Sequence, residues 1–273
     1  MEVQISEKNG LLQCILEGRL DFFRSCSLCS PLPGAYFQDT VKDTIYYSSG
    51  INFAPCNGIM EEHENNIPSE EVIDQAIDFF NSRKLPFIWW TSAKNLENKG
   101  FQFGGILTGI ALDISQGIPV VGKSPSLQLE IRIVQSEAEL RTFCELTVSA
   151  FGMDRATLDQ FNAVNSVAMK QGEQLHFLAY LSGTPVGTAT LSTCHSSAGI
   201  WNLGTLPDYR KHGIGAALVQ AALVEAQKRE YNQVMAILMP KGMAWGLFTK
   251  LGFKEVCHFP FYVYGASSDE LEK

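Results

Sequence analysis

Apolar and polar positions along this chain switch between a period of two and a period near 3.6, most cleanly in the second half. Leu127 to Val134 alternates, with Leu129, Ile131 and Ile133 on one side, as a half-buried strand does. Ser136 and Glu139 then have capping-box spacing for a helix that turns Leu140, Phe143 and Cys144 inward. Thr157 and Gln160 repeat that spacing before a second apolar stripe, Leu158, Phe161, Val164 and Val167. Three strands follow: Leu175 to Leu181, Val186 to Thr193, and one running through Gly204. Ser182-Gly183-Thr184-Pro185 joins the first two as a hairpin. A helix from Ala216 to Glu230, an apolar strand from Val234 to Met239, a short helix ending at Gly252-Phe253 and a last strand with Tyr262 and Tyr264 complete the series.

The first half is less regular. Ser69 to Ser82 predicts a helix, with acids in its first turn, Val72, Ile73, Ala76, Ile77 and Phe80 on one face, and Arg83-Lys84 at its end. Leu85 to Trp90 reads as a strand, on which the adjacent Trp89 and Trp90 take opposite faces. A short helix ending at Lys99-Gly100-Phe101 and a strand from Ile106 to Ile114 follow. Turn-forming residues from Gly117 to Ser126 interrupt the pattern and divide the chain into units of residues 1–120 and 127–273.

The stretch richest in chemistry is Tyr209-Arg210-Lys211-His212-Gly213-Ile214-Gly215-Ala216, between a strand and a helix. Gly213 and Gly215 let the backbone approach an anion, and the helix N-terminus adds its partial positive charge. Arg210, Lys211 and His212 supply countercharge, so the turn is expected to cradle a pyrophosphate. It is neither a P-loop, which ends in Gly-Lys-Ser/Thr, nor the three-glycine dinucleotide fingerprint. Just upstream, Gly204 interrupts an apolar strand and marks a bulge or a close backbone approach. A bulge would free the backbone groups of Leu203, Gly204 and Thr205 to pair with an extended ligand.

The T-L-P-x-Y-R-x-x-G-x-G-A-A-L block and the L-F-x-K-L-G-F ending resemble the GNAT (GCN5-related N-acetyltransferase) superfamily over roughly residues 127 to 264. The resemblance implies an α/β (α+β) fold of two GNAT-like units, each a mixed, mostly antiparallel sheet flanked by helices. It also implies acetyl-CoA as co-substrate, with pyrophosphate on Arg210 to Ala216 and pantetheine along Leu203, Gly204 and Thr205. The acceptor is then an amine, of a small molecule or a protein. Family members commonly carry a tyrosine acid four residues before the glycine of the closing G-F, and here that position is Phe248. Lys241 replaces an asparagine frequent in the family as a CoA contact. Tyr262 and Tyr264 are the expected substitutes for the missing hydroxyl, and Asn202 the expected substrate contact. No general base stands out among Glu173, His176 and His195.

Lys99-Gly100-Phe101 resembles the closing Gly-Phe, which makes the N-terminal unit a degenerate GNAT-like copy. No R-x-x-G-x-G precedes its helix, and Asn57-Gly58 is followed by Glu61, Glu62 and Glu64, so no CoA is expected there. A CoA-binding sensor or interaction protein with reduced or lost catalysis is the alternative to an enzyme.

Composition narrows the setting. The chain has 273 residues, 45% of them hydrophobic, and a net charge of −8, which argues against a general nucleic-acid binder and suits cationic or amine partners. No apolar run reaches membrane-spanning length and the first residues lack a signal-peptide layout, so a cytoplasmic protein is expected, with room for a homodimer. Seven scattered cysteines fit a reducing compartment. Cys26-x-x-Cys29 is the only close pair, and without a second such pair no metal is expected.

Overall fold

The structure, a computed structural model, describes residues 2–41, 44–61, 67–119, 128–194 and 197–266. His195, Glu62, Glu64 and most of the Gly117 to Ser126 break lie outside these residues.

The chain begins with a long helix, α1 (Glu2–Leu28), followed by β1 (Tyr36–Val41), β2 (Thr44–Ser48), β3 (Asn57–Glu61), α2 (Glu70–Asn81), β4 (Phe87–Trp90) and β5 (Gln102–Asp113). Its second half runs β6 (Leu129–Ile133), α3 (Glu137–Ala150), α4 (Leu158–Gln171), β7 (Gln174–Leu181), β8 (Thr184–Cys194), β9 (Ser197–Thr205), α5 (Ile214–Lys228), β10 (Gln233–Leu238), α6 (Trp245–Lys250) and β11 (Lys254–Tyr264).

All eleven strands of the described residues join one sheet, in the order β1-β2-β3-β4-β11-β5-β10-β9-β8-β7-β6. Among the described residues, only β3 with β4 and β9 with β10 are parallel. The centre of this order is an exchange between the two halves of the chain. β5, from the first half, pairs with β10 over Thr108 to Asp113, and β11, from the second half, pairs with β4 over Phe261 to Tyr264. β5 and β11 also pair with each other, so each half of the sheet is completed by a strand from the other.

Burial follows that topology. α5 and α6 cover one face of the second half, where Ile110, Leu112 and Ile114 of the first half pack among Leu218, Ala222, Val234 and Phe248. On the same face of the first half, α2 packs Ile73, Ala76 and Phe80 on Trp89, Phe101 and Tyr262. α1 crosses the opposite face, placing Leu11, Ile15 and Phe23 against Trp90, Met235, Phe259 and Phe261. Trp89 and Trp90 therefore do take opposite faces, and both are buried. Gly18 brings α1 close to the sheet, since a Cβ there would lie 3.0 Å from both Met235 Cγ and Ser197 Oγ.

Local signals form as their chemistry requires. Ser69 Oγ accepts the Val72 N–H at the start of α2, and the Ser136–Glu139 capping box is complete. Ser182 and Gly183, at φ 51° and 81°, make the two-residue turn between β7 and β8. The second capping box does not form. Thr157 Oγ1 donates to the Asp154 carbonyl at 2.6 Å, and Gln160 Oε1 accepts the Asn52 N–H at 3.0 Å, so Gln160 ties α4 to the first half.

Candidate acyl-transfer site

The site grows from the way β9 leaves its neighbours. With β8, β9 stays in register from Ser197 to Trp201, slips by one residue, and resumes at Gly204 and Thr205. Asn202 sits in the slip at φ 50°, a left-handed conformation that asparagine tolerates better than most residues. The expected bulge is present, but Asn202 forms it. Gly204 serves close approach instead, because a Cβ there would lie 2.9 Å from Ala150 Cβ at the end of α3.

A short polar chain fixes the bulge. Thr188 Oγ1 donates to the Asn202 carbonyl at 3.0 Å, and Asn202 Nδ2 donates to Thr190 Oγ1 at 3.1 Å. Thr190 Oγ1 is also 3.0 Å from His176 Nδ1, and both residues are fully buried. Burial, only partly offset by the Asn165 backbone, pushes the imidazole pKa down to about 3. His176 therefore stays neutral and acts as a hydrogen-bonding strut. An unfolded chain takes up that proton near pH 6.5, so below this value the unfolded state is favoured by about 1.4 kcal/mol per pH unit. Between pH 7 and pH 5 the protein is expected to lose about 2 kcal/mol through this group, a loss absent from His176→Gln. Denaturant unfolding of both proteins at the two pH values measures it, and identical pH dependence would refute the assignment.

On its other side β9 pairs with β10 only at Ala198 with Val234 and Gly199 with Met235. Beyond Gly199 the two strands part, so the β9 edge through Leu203, Gly204 and Thr205 has no pairing to β10. This is the opening into which a polyamide chain can add as a strand.

The glycine-rich turn closes one end of it. Arg210 Nε donates to the Thr205 carbonyl at 3.1 Å, tying the turn to β9, and His212 Nδ1 lies 3.2 Å from the Tyr209 carbonyl. Lys211 and Gly213 take φ of 66° and 79°, and Gly213 is the N-cap of α5. Helix geometry leaves the N–H groups of Ile214, Gly215 and Ala216 without intrahelical acceptors. Lys211, His212 and Gly213 are exposed, and Ile214 anchors the turn in the core. Gly187 permits that anchoring, since a Cβ there would lie 2.9 Å from Ile214 Cγ2. Three amides, a helix dipole and flexible cations thus meet at one exposed point, as a pyrophosphate requires.

The remaining expected residues lie elsewhere. Tyr262 and Tyr264 belong to the part of β11 that pairs with β4, and they pack on the α2 side of the first half. Tyr262 OH donates to Glu97 Oε1 at 3.2 Å. Neither is brought to the bulge. Phe248 is buried on α6, edge-on to Phe253 at 4.8 Å between centroids. Sequence reasoning also missed α1, whose Phe22 stacks on Trp201 at 4.0 Å and 8°, one residue before the bulge. Cys26 is a half-buried thiol whose pKa is pushed up to about 12 by desolvation, and the described residues contain no group of three or more potential metal ligands.

Comparisons with known proteins agree with this geometry. Residues 140–253 match the model of the acetyltransferase (GNAT) family. Over 128 residues, 46% of this chain and 84% of the other, the sequence is 27% identical to a Bacillus subtilis (strain 168) protein itself only assigned as an acetyltransferase. The fold matches a GCN5-related N-acetyltransferase from Kribbella flavida with a TM-score of 0.60 over 92% of this chain and 96% of that one, at 13% identity. A second, from Sphaerobacter thermophilus, gives 0.63 over 81% and 76%, at 15% identity. A tandem GNAT protein from the clavulanic acid biosynthesis pathway gives 0.50 over 93% and 96%, at 12% identity. The match places residues 140–253 in the GNAT family, and over 93% of its length the chain has the fold of a tandem GNAT protein.

Proposed function

We propose that the chain is an acetyl-CoA-dependent N-acetyltransferase in which an amine attacks the thioester directly in a ternary complex. The observation that carries this reading is the parting of β9 from β10 at the Asn202 bulge, beside the open N-terminus of α5. The α5 amides with Arg210 and Lys211 hold the pyrophosphate, and the freed β9 edge pairs with the pantetheine amides. As the amine nitrogen bonds to the thioester carbon, a backbone N–H on that edge donates to the developing oxyanion. The carbon–sulfur bond breaks, the thiolate leaves, and the amine proton passes to water. A thiolate with a pKa near 8.5 is a fair leaving group without an acid.

The N-terminal unit is read as shaping the acceptor side without a CoA site of its own. Its β3 and β4 stay paired from Gly58 with Ile88 to Met60 with Trp90, and a Cβ on Gly58 would collide with the Ile88 carbonyl oxygen. The first turn of α2 carries Glu70 and Glu71 where an anion would sit. Meanwhile Phe22 of α1 covers Trp201 beside the bulge. Calorimetric titration of the full chain is expected to give one CoA per chain, and two would overturn this division.

Turnover of acetyl-CoA with a panel of amines, followed by thiol release, tests the reaction. CoA binding without acetylation of any amine would favour the second reading, a CoA-binding sensor, to which the buried apolar Phe248 already points. Phe248→Tyr separates the two further. It is expected to keep CoA affinity and raise thiol release, by no more than the roughly 10²- to 10⁴-fold of a positioned acid. Unchanged release in the folded variant would show that this ring does not face the thiol.

A further inference from the structure

Resting on the acyl-transfer reading above, we propose that three buried side chains, Thr188, Thr190 and His176, act through the Asn202 bulge to aim the Leu203 N–H at the thioester carbonyl. They are positioning residues, at most 1% exposed, and act only through the backbone they hold.

The direction of that N–H follows from two independent observations. The Asn202 carbonyl and the Leu203 N–H belong to one trans peptide and point opposite ways. Thr188 Oγ1, on β8, donates to the carbonyl, so the N–H is turned off β8. Further along, the Leu206 N–H donates to the Val186 carbonyl of β8 at 3.0 Å. Backbone groups alternate between the two edges of a strand, so Gly204 faces β8 with Leu206, while Leu203 and Thr205 face away. A Cβ on Gly187 of β8 would lie 3.0 Å from the Gly204 carbonyl oxygen, and the Thr205 carbonyl is taken by Arg210, as this alternation requires. The edge so faced is the one that β10 leaves after Gly199. Arg210 and the α5 turn stand at its Thr205 end, so a ligand with its pyrophosphate there brings its acyl group to Leu203, beside the bulge.

The left-handed Asn202 breaks the ladder with β8 between Thr188 and Thr190, and side chains replace the missing bonds. Thr188 holds the Asn202 carbonyl, with Thr147 Oγ1 of α3 behind it at 3.3 Å. Thr190 Oγ1 accepts from Asn202 Nδ2, which leaves its own proton for His176 Nδ1. Buried hydroxyls and imidazoles destabilise a fold unless bonded, so a set of them gathered at one bulge marks backbone whose direction matters.

Calorimetric titration of the full chain with acetyl-CoA and with S-ethyl-CoA, in which a methylene replaces the thioester carbonyl, reads the Leu203 bond without an acceptor amine. The native protein is expected to prefer acetyl-CoA about fivefold, the worth of one hydrogen bond. Thr190→Val removes the hydroxyl from a side chain of similar shape, and is expected to bring the preference below about twofold with S-ethyl-CoA affinity retained. Asn202→Gly accepts the left-handed backbone but cannot reach Thr190, and is expected to do the same. Thr190→Ser is expected to keep the preference. A merely structural role would lower thermal stability, or affinity for both ligands alike, and leave the ratio unmoved. No preference in the native protein, or an undiminished one in folded Thr190→Val or Asn202→Gly, would overturn the positioning role with CoA binding intact. Failure of both ligands to bind would overturn the acyl-transfer reading itself.

Discussion

Replacing Gly213 with glutamate is expected to abolish CoA binding and, with it, acyl transfer. Gly213 caps α5 at a φ of 79°, and the next three N–H groups point out of the helix end. A carboxylate here would stand beside the pyrophosphate and offer a rival acceptor to those amides. Two unit charges 4 Å apart repel by about 4 kcal/mol at an effective dielectric of 20, about a thousandfold in affinity. The left-handed backbone adds strain of its own, roughly 1 kcal/mol. Gly213→Asn separates the two contributions, because asparagine tolerates that conformation and carries no charge. The asparagine variant is expected to bind CoA weakly and the glutamate variant not measurably, both with unchanged circular dichroism. Native affinity in a folded glutamate variant would remove the pyrophosphate from this turn.

Much of the second half was legible because its helices and strands each bury one face, so the periodicity of residues such as Phe161, Val164 and Ile131 reports structure directly. The turn at the start of α5 was legible for a related reason: a glycine at a left-handed helix cap is a local demand that the sequence states directly. The bulge was located to within two residues. Its owner was misread because asparagine at φ 50° looks like any polar strand residue, whereas glycine announces itself.

The failures share a cause in long-range contacts. α1 covers strands from both halves, and its buried face contains Arg19, Asp21, Ser25 and Ser27, so no apolar stripe marks it as a helix. Arg19 lies over Phe259 at 4.3 Å, a contact no local pattern encodes. Tyr262 and Tyr264, on the last strand, were expected to supply the hydroxyl missing at Phe248. The chain instead delivers them to the α2 side, through an exchange that adds no signature to either strand.

That exchange predicts that the halves cannot be separated. A fragment of residues 122–273 keeps the whole glycine-rich turn and the bulge, yet it lacks β5. β10 would lose its antiparallel partner from Gln233 to Leu238, and β11 would lose both neighbours, β5 and β4. Three buried side chains, Ile110, Leu112 and Ile114, would also leave the core beneath α5. At about 1.5–3 kcal/mol for each aliphatic side chain buried, their loss rivals the 5–15 kcal/mol that stabilises a typical domain. The fragment is therefore expected to be insoluble or to unfold without a cooperative transition, and to bind no CoA. The complementary fragment, residues 1–121, fares no better, because Phe261 and Val263 of β11 complete the core under α1 and Tyr262 the core under α2. Co-expression of the two fragments is expected to restore a soluble complex that binds CoA, since both missing strands are then supplied in trans. A cooperative thermal transition with native CoA affinity in 122–273 alone would show that β5 is dispensable to the acyl-transfer half.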